Sequence, residues 1–116
     1  MRSQPVPVVD ERDVERVLTR DFSPETIAQA RQYLATLPSS LGWRVKLAIL
    51  KLSRGDLNGV AKGAEMAQRD WRDVIVAAEY PSSGLLTSSA RREAREAAWE
   101  ADWERYQSWL RLGSSV

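Results

Sequence analysis

The sequence predicts an all-α fold, a small bundle of five or six helices with a central buried helix at about residues 43–54 and a long C-terminal helix. Three observations predict it. First, Trp43 to Leu57 (WRVKLAILKLSRGDL) carries two apolar stripes at 100° per residue. Val45, Ala48, Ile49 and Leu52 lie on one side, and Trp43, Leu47 and Leu50 lie roughly opposite. An element with two oily faces has to be covered on both. Second, apolar residues recur at helical spacing through the flanking segments, with helix start and stop residues between them. Third, Trp99, Trp103, Tyr106 and Leu110 recur at spacings of 4, 3 and 4, a seam suited to packing along one partner helix.

The elements follow in order. Residues 1–9 hold Pro5 and Pro7 between valines and read as an extended arm. Asp10 or Glu11 starts a short helix with Val14, Val17 and Leu18 on one side and acids near its positive end, and it stops near Asp21. Ser23-Pro24-Glu25 is a second start: hydroxyl cap, proline at the first helical position, then an acid. That helix presents Ile27, Ala30, Leu34 and Leu37, and Pro38 ends it. Ser39 or Ser40 offers a cap for the central helix. Gly55 suits the left-handed residue after that helix, and Asp56 suits the cap of the next.

From Asp56, the residues Leu57, Val60, Ala61, Ala64, Ala67 and Trp71 form a stripe of mostly small side chains. Gly59 and Gly63 fall off it, each costing up to about 1 kcal/mol relative to alanine. Either another backbone comes near them or they mark a weak helix. Asp70 is placed to recap the chain, giving a further short helix with Trp71, Val74, Ile75 and Ala78 that Tyr80-Pro81 ends. The helical core thus runs over 10–81. After Ser82-Ser83-Gly84, a cap at Thr87, Ser88 or Ser89 opens a Trp-rich amphipathic helix within 85–112.

The words RVKLAILKL, GDL, RDWRDV and AEYP, between Trp43 and Pro81, resemble a group of small uncharacterised bacterial helical proteins that carry similar words in the same order. The resemblance covers about a third of the chain. It implies kinship and brings with it no activity, cofactor or catalytic residue.

Composition narrows the function. The 116 residues include 17 basic and 16 acidic side chains, so no global field draws the chain to nucleic acid or to an anionic membrane. Cysteine is absent, which removes disulfides, thiolate chemistry and sulfur-ligated zinc. Histidine is absent as well, which removes imidazole relays and the commonest metal ligand. Asp70 and Asp73, with Glu79 beyond, are the best carboxylates for a metal or an acid–base pair, yet a helix cap and surface ion pairs with Arg69 and Arg72 explain them. The reading is no enzyme, no cofactor and no metal. The N-terminus lacks the apolar run of a signal peptide, and no stretch approaches the roughly 20 apolar residues of a membrane span, so a cytoplasmic protein is the plain expectation.

Two surfaces remain as candidates. Trp99, Trp103, Tyr106, Trp109 and Leu110 concentrate aromatic area in one terminal helix, which either closes the open side of the bundle or meets a protein partner or a second copy. The extended N-terminal arm is a secondary contact for that partner. A membrane-surface role suits the helix less well, since its five arginines are matched by five acids. The alternative is a nucleic-acid-binding regulator using Arg44, Lys46, Lys51, Arg54, Lys62, Arg69 and Arg72, a local excess of basic charge spread over several helix faces. The leading expectation is a small interaction protein or accessory subunit.

Overall fold

The computed structural model describes residues 6–82 and 91–112, and over these it is an all-α bundle of five α-helices and one short 3-10 turn. Helix α1 (Glu11–Asp21) starts in a reciprocal cap. Asp10 Oδ1 accepts from the Arg12 and Asp13 N–H groups at 2.9 and 3.3 Å, and the Asp10 N–H donates to Asp13 Oδ2 at 2.9 Å. Two of the helix's free N–H groups are thereby satisfied. Val14, Val17 and Leu18 face inward as predicted.

Helix α2 (Pro24–Ala35) begins at the predicted proline, but the Ser23 hydroxyl bonds to Thr26 Oγ1 at 3.0 Å instead of capping the backbone. Ala30 and Leu34 are buried, and Leu37 reaches the core from just beyond the helix end. Neither Ser39 nor Ser40 caps the central helix. Both belong to a 3-10 turn (Ser39–Leu41), and no side chain caps α3 (Gly42–Ser53). A capping residue needs extended backbone to aim its hydroxyl at the N–H groups ahead, and helical dihedrals deny the serines that aim.

In α3, Leu47, Ala48, Ile49 and Leu50 are all fully buried. Four consecutive helical residues sweep 300° of azimuth, so the middle of the helix is enclosed on every side. Leu47 and Leu50 each contribute about 1.5–3 kcal/mol by leaving water. The ends are less covered, and Trp43 and Leu52 are exposed. Arg54 and Gly55 then adopt left-handed backbone in succession, with φ of 53° and 78°, where one such residue was expected. This double reversal turns the chain straight into α4 (Leu57–Glu79), whose Asp56 cap accepts from the Asn58 N–H at 3.3 Å.

The two off-stripe glycines explain how closely α3 and α4 pack. A Cβ at Gly59 would lie 2.8 Å from Ser53 Cα, and one at Gly63 would lie 2.8 Å from Ile49 Cγ2. Gly59 and Gly63 are therefore contact points. The predicted break at Asp70 is present as a kink inside a continuous α4: Asp70 alone leaves helical dihedrals (φ −152°, ψ 89°), and its Oδ1 accepts from the Arg72 N–H at 3.2 Å. Val60, Ala64 and Ala67 are buried before the kink, and Val74, Ile75 and Ala78 after it.

Helix α5 (Arg92–Arg111) turns Asp102, Tyr106 and Leu110 inward. The predicted caps Thr87, Ser88 and Ser89 lie outside the described residues. Helix α4 is the hub, touching α2, α3 and α5, while α1 lies across α3. No helix among the described residues is long and apolar enough to cross a membrane.

Candidate functional site

Helix α5 meets the body through polar groups. Glu79, at the end of α4, is only 2% exposed and takes a forked pair of bonds from Arg44 on α3: Nε at 2.9 Å from Oε2 and Nη2 at 2.7 Å from Oε1. The same Nη2 donates to the Tyr80 hydroxyl at 2.8 Å. Charge-assisted bonding to Glu79 raises the Arg44 pKa further, against the opposing effect of burial. Tyr106 is buried beside this group, and its hydroxyl has no hydrogen-bond partner. Burial first, then the Glu79 charge, pushes both phenols upward, Tyr80 to about 12 and Tyr106 beyond it.

One turn before Tyr106, Asp102 is 1% exposed, a carboxylate set within the aromatic seam. Its two oxygens accept from the Ser82 N–H at 3.2 Å each, and Oδ1 accepts from Arg105 Nη1 at 3.1 Å. The C-terminal end of α5 is clasped by α1. Arg16 Nη2 donates to the Leu110 carbonyl at 2.8 Å, and Arg20 Nη1 donates to the carbonyls of Trp109 and Leu112 at 2.7 and 2.9 Å. Two cations thus meet the negative end of the helix and fill its orphan acceptors. The Arg20 guanidinium also lies 5.2 Å from the Trp109 ring centre.

Where α1, the α3–α4 turn and the end of α5 converge, they border an open cleft of about 570 Å³. Arg20, Lys51, Arg54 and Arg105 line it with Trp109, Leu112 and a single acid, Asp21. Gly55 sets its floor: a Cβ there would come within 2.8 Å of the Asp21 carbonyl oxygen, so only glycine lets the turn approach α1. Arg20 is already forked onto Asp21, at 2.7 and 2.9 Å, and Arg105 onto Asp102 and the Ser82 hydroxyl. Among the described residues, Lys51 and Arg54 hold no hydrogen bond or close ion pair. Partial burial, then the neighbouring Arg54 charge, lowers the Lys51 pKa.

The structure sorts the predicted residues plainly. Tyr106 and Leu110 are in the core, Trp109 packs half-buried on it, and Trp99 and Trp103 are half-buried. Trp109, which lies off the Trp99–Trp103–Tyr106–Leu110 spacing, is tilted against Tyr106 with ring centres 5.6 Å apart. Among the basic residues, Arg44 is committed to Glu79, Arg69 pairs with Glu65, Lys46 lies 4.4 Å over the Trp43 ring, and Arg72 lies 5.5 Å from the Trp71 ring. Lys62 is exposed. Only Lys51 and Arg54 of the seven share the cleft. Asp70 and Asp73 are exposed while Glu79 is buried, and no group of three acids, histidines or cysteines able to hold a metal occurs among the described residues.

Sequence reasoning missed Arg20, Arg105 and Asp102. The signal for Asp102 was present: it falls on the same helical face as Trp99 and Tyr106, where an acid needs a partner. No family model matches the chain, and no curated relative or solved structure matches it.

Proposed function

We propose that the chain is a small non-enzymatic interaction protein, an adaptor or accessory subunit, that offers the N-terminal half of α5 to a protein partner or to a second copy. One observation carries this reading. Arg95 lies two turns before Asp102 on the same helical face, yet Arg95 is exposed while Asp102 is enclosed. The C-terminal half of α5 is therefore anchored, and among the described residues the face of its first turns is uncovered. Trp99 and Trp103 sit half-buried at the boundary, where an incoming surface would complete their burial. The lack of both histidine and cysteine favours binding over catalysis.

The experiment places a photo-crosslinking residue at Glu93 or Ala97, exposed on α5, and in parallel at Gln29 or Gln32, exposed on α2. In cells, crosslinks to one defined protein, or to a second copy, from the α5 positions and not from α2 support the reading. Equal capture from all four positions, or none from Glu93 and Ala97, overturns it.

A further inference from the structure

We infer that the cleft between α1, the α3–α4 turn and the end of α5 is a binding site for a phosphoryl group carried by a small ligand. The charge arrangement carries the inference. Of the four cations on the cleft, Arg20 is matched by Asp21, and Asp102, bonded to Arg105, also attracts Lys51, which leaves an excess of two positive charges among the described residues. A phosphate monoester near neutral pH is close to a dianion and neutralises both, where a single carboxylate leaves one unanswered. Lys51 supplies a point charge from within the wall, and Arg54 supplies a planar fork at the mouth.

The placement of Lys51 favours a ligand over mere helix-end complementarity. Arg20 already does that work by donating to the last carbonyls of α5. Lys51 donates to nothing among the described residues, although it is partly buried beside two arginines and one acid, Asp102. The volume, about 570 Å³, suits a small molecule. A nucleic-acid strand is disfavoured because Arg44, Lys46, Arg69 and Arg72 are engaged elsewhere and give the phosphate backbone no continuous track.

The test follows amide and indole signals of the full chain by NMR as inorganic phosphate, then pyrophosphate, is added at constant ionic strength. Saturable shifts confined to Lys51, Arg54, Gly55, Arg105 and Trp109 are expected, with affinity about tenfold weaker in each of Lys51→Met and Arg54→Asn. Asparagine tolerates the left-handed backbone at position 54, so the second variant keeps the fold if the first disturbs it. Phosphatidylcholine vesicles with and without a phosphatidylinositol phosphate separate a lipid headgroup from a free ester: recruitment that needs the phosphoinositide, Lys51 and Arg54 assigns the headgroup as the source. Shifts equal to those given by chloride, or unchanged in both variants, overturn the site. An oligonucleotide that moves Lys62, Arg69 and Arg72 as strongly as Lys51 overturns it as well.

Discussion

Tyr106 has a fully enclosed hydroxyl with no partner, an unusual condition for a buried polar atom. Removing that oxygen removes a desolvation cost and keeps the ring that packs on Trp109. Tyr106→Phe is therefore expected to leave stability unchanged or raise it by up to about 1 kcal/mol, read from denaturant unfolding. Tyr106→Ala opens a cavity and is expected to cost about 3–5 kcal/mol.

The two phenols also set an alkaline limit. Tyr80 is pushed from its ordinary 10 to about 12 and Tyr106 further, so the fold holds both protonated while the unfolded chain ionises. Their contribution is complete below pH 10 and is lost as pH rises through 10 towards 12. Unfolding midpoints measured across that range are expected to fall, and the fall is expected to shrink in Tyr80→Phe. Glu79→Gln strands the Arg44 guanidinium and is expected to cost about 2–4 kcal/mol; Arg44→Met combined with Glu79→Leu is expected to recover most of it in a double-mutant cycle. Neither the Arg44–Glu79 pair nor the burial of Tyr106 beside it was legible, because the three residues belong to α3, α4 and α5, and helical periodicity carries no information across elements.

At the scale of the element, α3 and α4 form a helical pair whose separation is fixed by two missing side chains. Gly59→Ala gains about 1 kcal/mol of helix propensity and loses more, because the new methyl meets the Ser53 backbone, which cannot rotate away. A net loss of roughly 1–3 kcal/mol is expected in thermal unfolding. Gly63→Ala is expected to lose less, since Ile49 presents the end of a side chain there. The sequence left two explanations for these glycines, close approach or weakness, and only the neighbouring helix could decide. The cap at Asp56, the break at Asp70 and the enclosed middle of α3 were legible because each depends on local dihedrals or on one helix's own periodicity. The serine caps before α3 failed for the converse reason: several local conformations suit a Ser-Ser pair, and the turn to Gly42 selected the helical one.

For the whole molecule, the C-terminal helix is both cover and surface. Tyr106, Leu110 and Trp109 complete the core, so a chain ending at Ser82 loses at least two large buried side chains, about 1.5–3 kcal/mol each before any cavity term. That is a large share of the 5–15 kcal/mol typical of a domain. The truncated chain is expected to unfold broadly by circular dichroism and to bind a hydrophobic dye, whereas Trp99→Ala in the full chain is expected to keep a sharp transition. The basic cleft was invisible in the sequence because Arg20, Lys51, Arg54 and Arg105 belong to three segments up to 85 positions apart, which only the folded bundle gathers.

The arginine clasp has a temporal consequence. Arg16 and Arg20 grip carbonyls 89–94 positions downstream, so this closure is among the most distant in the fold, while the α3–α4 hairpin is nearly local. During synthesis, the first four helices are made before Trp109 and Leu110. In that interval their unfinished flank is open to any chaperone that recognises greasy surface, until the last helix arrives and displaces it.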